Sequence, residues 1–200
     1  GGTIIIYTFL GGYLACCWTD FFQGCLMFFA IIVVPIVAYF NGGGIDGISS
    51  AMDAKDISLN IFKYAKVLSL PVIISGLGWG LGYFGQPHII VKFMSIKSVA
   101  ELWKARLIAM VWVIISLVCS IAIGITGIAL FKNVQDPEKI FIYMIGKLFN
   151  PWIAGILYAA ILSAIMSTIS AQLLVASNTL TEDFYKYIVK REKTNKELIW

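Results

Sequence analysis

The chain has 200 residues, 60% of them hydrophobic and only 13% charged, with a formal net charge of +4 and a mean hydropathy of +0.87. A soluble domain would be about a quarter charged, so a water-soluble globule is excluded, and so small a net charge is no nucleic-acid signal. Lys, Arg, Asp and Glu are absent from residues 1–19, 21–45, 67–91, 107–131 and 148–181. A bilayer span needs about 20 apolar residues at about 1.5 Å rise each, so each run is long enough. The chain reads as one all-α, multi-pass membrane domain over 1–200, with four full spans and the tail of another at the start. Both ends look internal, as though the chain were part of a longer one.

Residues 1–10 finish a helix, "GGYLACCWTD" turns the chain, and residues 20–40 form the next span. Cys16, Cys17, Cys25 and Cys119 lie in or beside apolar runs without metal spacing and read as small packing residues. Asp20 is the only acid between the first two apolar runs. With Gln23 three residues on, it could close a capping box, or it could stand as a charge on an ion path. "NGGGIDGISS" reads as an external loop with Gly42 to Gly44 as breakers.

The span at 66–91 contains "GLGWGLGYFGQPH". An interior glycine costs a helix about 1 kcal/mol against alanine, and an interior proline about 3. Backbone that leaves the helix inside a bilayer is tolerated only against protein or a water-filled cavity. One reading is a discontinuous helix whose second half offers free N–H groups and a positive dipole end to an anionic solute. The other is close helix packing through Gly78 and Gly82, with Pro87 as a kink. Trp79 and Tyr83, four apart, share a face wherever the chain is helical. His88 sits near Lys92 and the membrane boundary, which favours a hydrogen-bonded structural role.

The span at 106–131 follows, then "DPEKIFIYMIGKLF" as a short external helix capped by Asp136, then a span over 151–184. Asn150 as N-cap and Pro151 at the first helical position start that last span. Nine of the fifteen basic residues lie at 92–106 and 186–196, which puts those segments on the cytoplasmic side. In "AIMSTISAQLL", Ala164, Ser167 and Thr168 share a face. Their carbonyl and hydroxyl oxygens could hold a hard cation, or the hydroxyls could simply bond back to the preceding turn.

Together these residues resemble the solute:sodium symporter family, most closely its proline-carrying members. The likeness is carried by "YTFLGGYLACCWTDFFQG", "GWGLGYFGQPHII", "FNPWIAGILYAAILSAIMSTISAQLLVASNTLTEDFYK" and "KELIW", and is loosest in the external loops. It implies a LeuT-type fold of two inverted repeats, of which this chain would hold the end of the fourth core helix through the eighth. It implies substrate contacts at Trp79, Tyr83 and Pro87. Sodium ligands would be the Ala164 carbonyl and the Ser167 and Thr168 hydroxyls. Asp20 would serve sodium passage toward the cytoplasm. Some relatives build a second sodium site from that aspartate and further hydroxyls; Ser170 is present here, but Ala171 offers no side-chain oxygen.

The implied activity is sodium-coupled symport of L-proline by alternating access across the inner membrane, with sodium as coupling ion. The alternatives are another small solute (pantothenate, a sugar, a sialic acid) or a symporter-like sensor domain of a histidine kinase. No Ser/His/Asp, Cys/His or metal-ligand arrangement suggests an enzyme.

Overall fold

The computed structural model describes residues 2–57, 70–131, 134 and 136–181. These form α1 (Gly2–Asn41), α2 (Gly44–Ala54), α3 (Leu70–Phe84), α4 (Pro87–Met94), α5 (Val99–Leu130), α6 (Ile140–Leu148) and α7 (Pro151–Asn178), with a 3-10 turn at Pro137–Lys139. There is no strand among the described residues. Three helical stretches, Gly2–Asn41, Val99–Leu130 and Pro151–Thr181, are long and apolar enough to cross a membrane. The expected 66–91 span consists of α3 and α4, of 15 and 8 residues; positions 66–69 lie outside the described residues, as do 182–200 with "KELIW".

The turn expected across 11–20 is a single-residue kink. Gly12 takes φ 56° and ψ −151°, a conformation essentially open to glycine alone, and helix resumes at once. Asp20 and Gln23 therefore lie inside α1, where there is no helix start, so the capping-box reading is overturned. The expected loop at 41–50 is also corrected. After Gly43 (φ 82°) and Gly44 (φ 64°) turn the chain, α2 forms. Asp46 in its first turn suits the positive helix end, and Met52 is buried on its inner face.

Between apolar helices in lipid, association rests on close van der Waals packing, which small side chains permit. Ala30, Val34 and Ala38, four apart on α1, join Ala154, Leu157 and Ala160 of α7 in one buried cluster. Ile123 of α5 and Met144 and Ile145 of α6 complete it. Higher on the α1–α5 seam Phe28 stacks on Trp112, with ring centroids 4.5 Å apart. Gly127 lets α6 approach α5, because a Cβ there would stand 2.7 Å from Ile140 Cγ1.

Helix ends leave carbonyls without partners, and two lysines serve the end of α5. Lys55 Nζ donates to the Ile128 and Phe131 carbonyls (3.3 and 2.8 Å), and Lys147 Nζ to that of Leu130 (2.8 Å). Lys55, just beyond α2, and Lys147 of α6 thus both reach the C-terminal end of α5. Asp136 accepts from the Glu138 N–H at 3.2 Å, and Asn150 Oδ1 from the Ile153 N–H at 2.9 Å, as the capping pattern requires.

Candidate functional site

The helix break falls at Gly85 and Gln86, about seven residues beyond the middle of the 66–91 span. Gly76, Gly78, Gly80 and Gly82 are all helical. Glycine weakens a helix, but an apolar medium compels the backbone to bond itself, and nothing in those residues forbids it. Pro87 does forbid it: it lacks an N–H and bars its predecessor from helical angles. Gln86 accordingly takes φ −72° and ψ 120°, and Pro87 opens α4 at its first turn. The last turn of α3 tightens, with Gly85 N–H donating to the Gly82 carbonyl at 3.1 Å. The Gln86 carbonyl then accepts from the N–H groups of Ile89 (3.0 Å) and Ile90 (3.2 Å).

No described side chain of α3 is buried. Trp79 and Tyr83 share a face, with ring centroids 6.0 Å apart and planes inclined by 35°. Trp79 is 75% exposed and Tyr83 46%. Tyr83 borders a cleft of about 620 Å3 together with Gln86, His88 and Lys92 from the break and α4, and Ser167 and Thr168 from α7. Trp79 and Pro87 are not part of that lining.

Within α7, Thr168 Oγ1 donates to the Ala164 carbonyl at 3.1 Å, and Ser170 Oγ to the Ser167 carbonyl at 2.9 Å. The Thr168 hydroxyl thus bonds back to the preceding turn, while a hydroxyl that donates keeps its lone pairs for an acceptor role. The side chains part company: Ser167 and Thr168 face the cleft, whereas Ala164 lines a second, apolar cavity of about 320 Å3 with Met27 and Ala30. Neutral oxygens are the type of ligand that a hard alkali cation takes. Among the described residues no group of three His, Cys, Asp or Glu could hold a metal.

Asp20 faces the same region from α1. Its Oδ2 lies 2.8 Å from Lys92 Nζ, and its Oδ1 3.4 Å from the hydroxyl of the fully buried Ser170. The Asp20 side chain is 12% exposed and that of Lys92 44%. A second tie joins α1 to the end of α4, where the hydroxyls of Tyr13 and Ser95 are hydrogen-bonded. In the sequence Lys92 is marked only by its place directly after a charge-free run and five residues beyond Pro87, and its partner lies 72 positions away.

A discontinuous helix facing hydroxyl oxygens on a long apolar helix is the arrangement of a membrane transporter. The chain belongs to the Sodium:solute symporter family, whose pattern matches residues 1–200. It is 53% identical over 194 residues to "Sodium/proline symporter 2" of Staphylococcus saprophyticus, covering 95% of this chain and 37% of that protein. It is 50% identical over 204 residues to "High-affinity proline transporter PutP" of Bacillus subtilis, covering 100% of this chain and 42% of that one. A "Sodium/proline symporter" of Staphylococcus aureus is 53% identical over 194 residues, covering 95% of this chain and 37% of its own. The chain thus spans about two fifths of the length of these relatives. No solved structure matches it. It is an all-helical, multi-pass membrane protein of a transporter family.

Proposed function

We propose that the protein is a sodium-coupled symporter of L-proline, and that the 620 Å3 cleft holds part of its transport site. The observation that carries this reading is the meeting of Tyr83 and the Gln86–Pro87 break with the Ser167 and Thr168 hydroxyls across one cleft. It is supported by about half identity to proteins named as sodium/proline symporters. In this reading residues 1–200 are one membrane unit of a LeuT-type inverted-repeat fold, working by alternating access.

Proline would set its ring against the Trp79 and Tyr83 faces, whose π-systems accept apolar and cationic groups. Its carboxylate would lie near the start of α4, where the positive helix end favours an anion. Trp79 stands outside the cleft lining, so it would join the site only as α3 closes about the break. Sodium is carried as a co-substrate. Ser167, Thr168 and the Ala164 carbonyl supply oxygens to it, and Asp20 and Ser170 flank its route inward.

The driving force is adequate. One charge crossing about 100 mV is worth roughly 2.3 kcal/mol, and a tenfold sodium gradient adds about 1.4. Together these can concentrate a solute several-hundred-fold at one ion per solute, by about a decade per 1.4 kcal/mol. The test is uptake of labelled L-proline by vesicles bearing the full-length protein, with sodium, lithium, potassium or proton gradients supplied in turn. Uptake driven by sodium and competed by unlabelled proline supports the reading. Sodium-driven uptake of a sugar, pantothenate or sialic acid in its place would change the substrate and keep the mechanism.

A further inference from the structure

We propose that the exposed face of α5 docks one anionic phospholipid, its headgroup held by Arg106 on the Trp103 ring and an acyl chain laid along the apolar stripe beyond. Arg106 is the last charge before the 25-residue charge-free run 107–131. At about 1.5 Å per residue that run fills the hydrocarbon thickness. Arg106 therefore stands at headgroup depth, the level that tryptophans such as Trp103 favour. Its guanidinium carbon lies 4.5 Å from the Trp103 ring centroid. Among the described residues the ion pairs are Lys92 with Asp20 and Lys139 with Asp136, so no carboxylate answers Arg106. Stacking fixes the plane of the guanidinium and leaves its N–H edge open, the arrangement that grips a phosphate through two bonds.

Leu107, Met110, Ile114, Leu117 and Ile121 recur three or four apart and continue the face of Trp103 and Arg106. All five are more than half exposed. The opposite face meets the protein, with Ala105 and Ala109 on the cleft, Trp112 on Phe28 and Ile123 in the buried cluster. What covers the stripe follows from its composition. Where helices of this protein pack on one another the seams hold small residues, Ala30, Ala38, Ala154 and Ala160 in the buried cluster and Gly127 against Ile140. Close approach in a bilayer demands them, and the stripe has none. Its large side chains suit an acyl chain. An arginine facing another helix would call for a carboxylate there, whereas toward lipid it meets phosphate. A zwitterionic headgroup answers its phosphate with its own ammonium. An anionic one brings a net charge that Arg106, with Lys104 two positions before it, complements.

The test is native mass spectrometry of the full-length protein, released from detergent holding equal amounts of phosphatidylglycerol and phosphatidylethanolamine. Wild type is expected to retain phosphatidylglycerol in preference. Arg106→Gln is expected to lower that preference about fivefold, the worth of one basic residue at an anionic surface. Arg106→Lys, which keeps the charge but loses the fork and the stack, should fall between. Phosphatidylglycerol with a photoreactive group in its acyl chain should label residues 107–121 of wild type, and label them less in Arg106→Gln. Equal retention of the two lipids by wild type, or an unchanged preference in Arg106→Gln, overturns the proposal. So does a stripe that stays unlabelled, which would show it covered by another segment of the chain or a second copy. Displacement of the lipid by glycerol 3-phosphate alone would show a site for a soluble anion, and overturns it too. Should Arg106→Gln fail to insert, Trp103→Leu, which removes the stack, decides in its place: a lowered preference supports the proposal and an unchanged one overturns it.

Discussion

Asp20 and Lys92, 72 positions apart in the chain, form a 2.8 Å ion pair that ties the kinked first helix to the half-helix beyond the break. Tyr13 and Ser95 repeat the tie one step nearer the Gly12 kink. α4 is thereby fastened to α1; neither it nor α3, on the other side of Gly85 and Gln86, has a buried residue among those described.

The ion pair is asymmetric, and its loss is expected to be too. Lys92→Met leaves a carboxylate that is only 12% exposed, whereas Asp20→Asn leaves an ammonium 44% exposed and within reach of water. Stranding one member of a fully buried pair costs about 3–5 kcal/mol; with Lys92 part-solvated, roughly 1–2 is expected for Lys92→Met and less for Asp20→Asn. Thermal unfolding of the purified protein in sodium-free detergent solution measures both. Equal shifts would mean that burial of Asp20 does not govern the pair.

Asp20→Asn is expected to slow turnover more than it weakens substrate binding, because the residue does not line the cleft and, in the proposed reading, flanks the path of the ion inward. Initial-rate kinetics separate the two effects. A changed half-saturating proline concentration with an unchanged maximal rate would place Asp20 in the substrate site.

Replacing Trp79 or Tyr83 by alanine should raise the proline concentration for half-maximal uptake about tenfold, the worth of one aromatic face at roughly 1.4 kcal/mol. Insertion should be unaffected, since neither ring is buried in the fold. Normal uptake kinetics in both variants would take the rings out of the site.

Ser167→Ala combined with Thr168→Ala should raise the sodium needed for half-maximal uptake by about tenfold or more, since two proposed oxygen ligands of a weakly held ion are lost. The hydroxyl removed from Thr168 donates to the Ala164 carbonyl at 3.1 Å, so the helix itself is spared. An unaltered sodium dependence would leave Thr168 with only its bond to the preceding turn and take both hydroxyls out of the ion site.

Gly127→Ala should lower thermal stability by about 1–3 kcal/mol through overpacking, because the new methyl would stand 2.7 Å from Ile140 Cγ1. Pairing it with Ile140→Ala should recover most of the loss. If the single variant melts like wild type, α5 and α6 are not held at the close approach described here.

The residues that end and begin helices were legible in advance where the cause is local. Pro87, Asn150 and Asp136 act through a missing N–H or a side-chain cap within three positions, and each stands where it was expected. The glycines mislead: low helix propensity at 76–82 yields to the demand that backbone in an apolar medium bond to itself. Asp20 was legible as unusual but not as partnered, since a lone acid beside a later glutamine fits a helix start as readily as a helix interior.

What the sequence by itself determined is the membrane class, the apolar helices and the place where proline must interrupt one of them. These follow from composition and from constraints acting within a few residues of each other. Only the tertiary structure decided that Lys92 answers Asp20, that Ser170 approaches it from 150 positions away, and that Lys55 closes α5 from 76 positions away. Such pairings depend on how the helices pack, and many charges along the chain could have satisfied each one equally well before the small-residue seams of α1 and α7 brought particular partners together.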